Sequence, residues 1–205
     1  MSKENRQKAR VDEPKAKAGI GAFNELLSNE PVDFMPVILY KATWEVLTGG
    51  KAERSIRVYF GLRPGAHDKS IVEMIAVGTS PDEKGTHRDR LDKIIVLGES
   101  VREISQSPEV WKESRRNWKD WQKRFKKPSN DGGRDENLLP NAVLLNQDVL
   151  WSLFGEEKVE SLSLQPEMDM EVSLLMVSDS EDGANGYYNF AKPCPPYCDT
   201  SSDLL

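Results

Sequence analysis

"PVILYKATWEVLTG", residues 36–49, and "NAVLLNQDVLWSLFG", residues 141–155, set out one order of elements twice in the same chain. Each begins with a short aliphatic run of strand character, passes into a helical turn carrying a single tryptophan (Trp44, then Trp151), and stops on glycine. Two strands follow in each half. In "SIRVYFGL" (55–62), Ile56, Val58 and Phe60 alternate with Arg57 and Tyr59, the period-two pattern of a half-buried strand. After the turn "RPGAHDK", the strand "IVEMIAVGTS" (71–80) completes an antiparallel hairpin. In the second half "KVESLSLQPEM" (158–168) and "EVSLLMVSDS" (171–180) take the same places. The expected fold is α+β: antiparallel sheet from two strand–helix–strand–strand units, with one long amphipathic helix between them. Duplication explains the repeat of order, and so does chance, because such patterns are few.

That helix is "SPEVWKESRRNWKDWQKRFKK" (107–127). Ser107 suits the N-cap, Pro108 the first helical position, Glu109 the positive end of the dipole and Lys126–Lys127 the negative end, with Pro128 as the stop. At about 100° per residue, Trp111, Trp118, Trp121 and Phe125 share an arc of about 80°. Lys112, Arg115, Arg116, Lys119, Lys123 and Lys126 occupy the neighbouring arc and form a candidate basic surface. Aromatic and basic residues together resemble a nucleic-acid platform, but that platform needs both in one groove and here they are segregated. Segregation favours aromatics against a sheet and cations in solvent, facing water, an acidic partner or the acidic half of the same chain.

The charge is uneven. The 205 residues carry 28 Lys/Arg against 34 Asp/Glu, a net charge of −6. Residues 107–127 hold eight basic against three acidic residues, whereas residues 129–205 hold three against fifteen. An acidic total argues against nucleic acid, and no apolar run is long enough to span a bilayer. A polar N-terminus without a signal sequence and only two cysteines imply a cytoplasmic protein. The expected organisation is a disordered basic tail (1–19), a first α+β unit with the tryptophan-rich helix (20–128), a linker (129–137), a second α+β unit (138–190) and an extended tail (191–205). Sheet edges left by two small units invite a second copy, hence a homodimer.

Both cysteines lie in that last tail, in "AKPCPPYCDTSSDLL" (191–205). Cys194 and Cys198 are one residue further apart than a thioredoxin-type pair. With Pro195 and Pro196 between them, a polyproline II course from Lys192 to Cys198 separates their Cα atoms by about 12 Å, beyond the roughly 7 Å reach of a disulfide. Cys194, Pro195, Pro196, Tyr197 and Cys198 are therefore a candidate recognition segment, with a redox or metal-binding pair as the alternative. Zinc would need more ligands, and His67 and His87, both expected in loops, lack ligand spacing. Asp179, Glu181 and Asp182 lack the spacing of an EF-hand, so their stretch is expected to be a hairpin loop. No nucleophile elbow, zincin, Walker or dinucleotide motif is present, and strand glutamates such as Glu73 and Glu171 are expected on an exposed face. The sequence thus names no catalytic residue, no metal ligand and no cofactor.

The strand "SIRVYFGL" and the ending "PCPPYC" resemble a group of small uncharacterised proteins of Bacteroidetes-type bacteria, which share an I-R-x-Y-F-G strand and in some cases a terminal Cys-Pro-Pro-x-Cys. The resemblance implies a soluble bacterial protein of unassigned activity and supplies no catalytic residue. The function expected on all these grounds is that of a non-enzymatic interaction protein with an unknown protein partner. Its contact surface would be the Cys-Pro-Pro-Tyr-Cys segment or the basic helix.

Overall fold

The structure is a computed structural model and describes residues 10–98, 102–104, 108–127, 136–156, 159–169, 172–178, 186–189 and 191–194. The first half contains β1 (Arg10–Val11), α1 (Glu13–Leu27), β2 (Val32–Asp33), β3 (Val37–Tyr40), α2 (Lys41–Thr48), β4 (Ser55–Pro64), β5 (Ser70–Pro81), β6 (His87–Leu97) and β7 (Arg102–Glu103). Then come α3 (Pro108–Gln122), β8 (Lys126–Lys127), β9 (Glu136–Asn137), β10 (Ala142–Leu145) and α4 (Gln147–Leu150), which runs into a π-helical turn (Trp151–Glu156). The chain closes with β11 (Ser161–Met168), β12 (Val172–Ser178), β13 (Gly186–Tyr188) and β14 (Ala191–Cys194).

The fold is α+β, and the strand–helix–strand–strand order occurs in both halves. What the sequence did not disclose is where each first strand goes. β3 pairs antiparallel with β11 of the second half, Leu39 opposite Leu162, and β10 pairs antiparallel with β4 of the first half, Val143 opposite Val58. Each half thus gives its first strand to the other's sheet. The smaller sheet runs β1-β13-β12-β11-β3 and the larger β14-β10-β4-β5-β6-β7, with β2 parallel to β5.

Local chemistry explains the crossings. Gly49 ends α2 in the left-handed conformation at φ 66°, where a glycine costs least. Asn146 caps α4 by accepting from the backbone N–H of Asp148 at 2.9 Å and of Val149 at 3.1 Å. The tryptophans that mark the two turns meet, Trp44 lying 6.0 Å from Trp151 and stacking on Phe154 at 5.5 Å. α2 also lies directly on β5, where a Cβ on Gly78 would collide with the Leu47 carbonyl. The ladder from β5 to β6 is bulged at that point, between Val77 and Gly78.

One core fills the space between the sheets, taking Leu39, Leu162, Leu164, Leu174 and Met176 from the smaller and Ile56, Val58, Phe60, Met74 and Ala76 from the larger. Each outer face has its own helix. α1 covers Leu175, Val177 and Tyr187 on the smaller sheet, and Trp111 of α3 joins Tyr59, Ile75, Val77, Ile94 and Val96 on the larger. The alternation in β4 therefore does not mark a half-buried strand. Arg57 and Tyr59 are both 0% exposed, because α3 and β6 cover the face that the pattern assigned to solvent.

The ordered chain also starts before residue 20, since β1 pairs with β13 and α1 begins at Glu13. Ala16, Gly19, Phe23 and Leu27 form its buried stripe, whose first half is too small in side chain to register as an apolar face. Lys192–Cys194 likewise departs from a polyproline II course, because the open edge of β10 takes the segment into a ladder, Ala142 opposite Cys194. Phe60 donates to the Asn141 carbonyl, so Asn141 and Val143 face β4 while Ala142 and Leu144 face β14. Pro193, opposite Val143, then points outward, where its missing N–H costs no ladder bond and blunts the sheet edge. Among the described residues no helix is long and apolar enough to cross a membrane.

Two glycines separate packing from propensity. Gly78→Ala is expected to cost about 1–3 kcal/mol through overpacking against α2, whereas Gly21→Ala, in open space on α1, gains about 0.5–1 kcal/mol. Urea denaturation followed by circular dichroism measures both. The exchanged strands predict further that cutting the folded full chain at a protease site engineered between residues 129 and 135 leaves both pieces in one peak on gel filtration.

Candidate functional site

α3 is the element on which the sequence concentrates both aromatic and basic residues, and its seating decides which of them remain available. It crosses β4 at Gly61, where a Cβ would collide with the Ser114 hydroxyl. Ser114 donates at 3.0 Å to Glu73, which also receives Arg63 at 3.0 Å. Glu73 is thus buried at 8% exposure instead of lying on a solvated face, because a helix stands over it. Glu171, and the acidic stretch with Asp179, Glu181 and Asp182, lie outside the described residues.

Arg115 is the main correction to the basic surface. It is 3% exposed, donates to the carbonyls of Phe60 and Asn141, the latter at 3.0 Å, and sits 4.9 Å above the Tyr59 ring. On the helical wheel it is the basic residue nearest the aromatic arc, only about 40° from Trp111, and the sheet edge draws it inward. Burial pushes its guanidinium down to about 10, while the Tyr59 phenol pulls the other way. Tyr59 in turn donates to Asp89, which pairs with the fully buried Arg57. Arg57 also donates to the His87 carbonyl at 2.9 Å. His87 opens β6 instead of lying in a loop, with its Nδ1 2.9 Å from the Thr79 hydroxyl. His67 belongs to the loop between β4 and β5, with a positive φ of 54°. Among the described residues no group of three or more His, Cys, Asp or Glu could hold a metal ion.

The other basic residues keep the solvent side. Lys112, Arg116, Lys123 and Lys126 are exposed and Lys119 is half-buried, its ammonium held down first by burial and then by the charge of Arg115. The helix does not reach Lys127. It ends at Gln122, because Arg124 and Phe125 donate back to Trp121 and Gln122 in a tighter turn and Lys126–Lys127 then pair with Glu136–Asn137 in a hairpin. Ser107 and Pro128 lie outside the described residues.

The aromatic arc holds α3 in place. Trp118 donates to the Pro140 carbonyl at 3.0 Å and packs 5.1 Å from Phe60. The rings continue from Phe60 to Phe34 and Phe23 of α1 on one side and to Trp121 and Phe125 on the other. Glu30, just past α1, receives Arg124 at 2.9 Å and so pins the far end.

The first residue of the Cys-Pro-Pro-Tyr-Cys segment is placed against the strand that α3 holds. Gln122 donates to the Asn141 side chain at 3.0 Å, Arg115 to the Asn141 carbonyl, and the next residue, Ala142, is the register partner of Cys194. β14 therefore ends beside the middle of α3. Pro195, Pro196, Tyr197 and Cys198 continue from that point and lie outside the described residues. The register of β14 depends on the edge of β10, so a reading confined to the tail could not have found it. Comparison with protein-family models, with curated proteins and with solved structures returned no match.

Replacing Arg115 with methionine strands the buried Phe60 carbonyl, leaves that of Asn141 with the Phe60 N–H alone, and is expected to cost about 1–3 kcal/mol. Arg116→Met, on the exposed side, changes stability by less than about 0.5 kcal/mol. Denaturant midpoints of the two variants check the assignment.

Proposed function

We propose that the chain is a non-enzymatic interaction protein of the cytoplasm whose contact surface is the basic outer face of α3, and that its partner presents an acidic protein segment. The observation that carries this reading is the division of labour along α3. Arg115 is spent on backbone carbonyls, while Lys112, Arg116, Lys119 and Lys123 stay on the side away from the sheet. A rigid helix with cations on one face and a buried aromatic stripe on the other offers charge complementarity without an apolar groove. The Cys-Pro-Pro-Tyr-Cys segment starts at Cys194, the register partner of Ala142, and in this reading adds to the same contact, as proline-bearing segments do at low ordering cost.

Photo-crosslinking residues placed singly at Arg116, at Tyr197 and, as a control, at Lys51 test the proposal in the cells that make the protein. The expected result is one common protein adduct at positions 116 and 197, an acidic stretch at the crosslinked site, and loss of the adduct in a K112E/K123E background. Equal adducts at Lys51, an adduct indifferent to charge reversal, or nucleic acid captured with a steep salt dependence would each overturn it.

A further inference from the structure

α1 rests on the outer face of the smaller sheet, and one carboxyl is trapped beneath it. Glu167, on β11, is 5% exposed. Its Oε2 would lie 2.5 Å from a Cβ on Gly19, so the carboxyl abuts the helix backbone at the residue whose lack of a side chain permits the approach. Asn189 donates to its other oxygen. Asp169 lies two residues further on, just past β11, and Lys15 of α1 pairs with it at 3.2 Å. Glu13 and Lys17 pair with each other along α1 at 2.6 Å, and Tyr187 of β13 lies under the same helix. Among the described residues no ion pair reaches Glu167.

A carboxylate in that position loses its water and gains one hydrogen bond, whereas the protonated acid is buried at little cost. We propose that Glu167 is a proton-operated latch on α1: protonated, it lets the helix seat fully on the smaller sheet, and ionised, it leaves the helix more loosely held. Burial, and then the charge of Asp169, push this carboxyl above its ordinary value of 4.5, against the opposing pull of Lys15 and Asn189. A group whose folded value is raised stabilises the docked state below its unfolded value, and that stabilisation is lost as the pH rises through the folded one. The seat therefore weakens as the pH rises above 4.5 and through the raised value.

Amide hydrogen exchange of the full chain, between pH 4.5 and 8 and corrected for intrinsic rates, tests the latch with β4 and β5 as internal reference. The expected result is a several-fold fall in α1 protection with rising pH in the wild type. In Glu167→Gln protection should be uniformly high, and in Asp169→Asn the fall should move to lower pH. Wild-type protection that is flat across this range, or a Glu167→Gln profile that falls like the wild type, would overturn the proposal. Should Glu167→Gln not fold, the shift in Asp169→Asn decides the matter: a displaced midpoint supports the latch and an unmoved one refutes it.

Discussion

Backbone hydrogen bonds that cannot be made within one half hold this fold together. β3 and β10 are four-residue strands whose inward N–H and C=O groups, buried in the core, must be paired. Neither pairs with the two strands that come directly after it. β3 is satisfied only across the molecule, on β11, and β10 there on one side, by β4, and the clustered rings of Trp44, Trp151 and Phe154 mark where the two connections pass. The shared core, the placement of α2 over Gly78 and the edge offered to β14 all follow from this exchange.

Charge is handled by the same logic of pairing. Arg115 is carried inward because carbonyls at a strand end need donors, and Arg57 because Asp89 is delivered by β6 to meet it. Each such group costs several kcal/mol to desolvate, and only dense hydrogen bonding offsets that. Adjacent Arg116 makes the opposite choice in water. Glu73 and Glu167 show both outcomes for acids under a helix: one receives a hydroxyl and a guanidinium, the other a single amide.

The elements were legible where period and composition act over short range. The repeated order, the aromatic stripe of α3 and the α+β class could all be read from the chain. What could not be read depends on residues far apart. Nothing in "VILY" says that its partner is "SLSL" instead of the nearer "SIRV", since both offer the same alternation. Arg115 looked like its neighbours because the wheel records angle and not which strand end lies opposite. The tail was drawn as far as residue 19 because Ala16 and Gly19 pack by smallness, which hydrophobic periodicity does not register. His87, at the head of β6, read as a loop residue because the charged run it opens, "HRDRLDK", finds partners only after Arg57 and Tyr59 have been folded beneath α3.

The exchange has a consequence for how the polypeptide is made. During synthesis from the N-terminus, β4 emerges long before the strand that must lie beside it, and β3 emerges with no sheet to join. The first half leaves the ribosome with an open strand edge and an uncovered apolar face, and it keeps both until Leu145 and then Met168 have been added. Vectorial folding of this half is thus stalled by topology, and the nascent chain is exposed to edge pairing with its neighbours on a polysome. The proline that closes the β14 edge, Pro193, arrives after both of these.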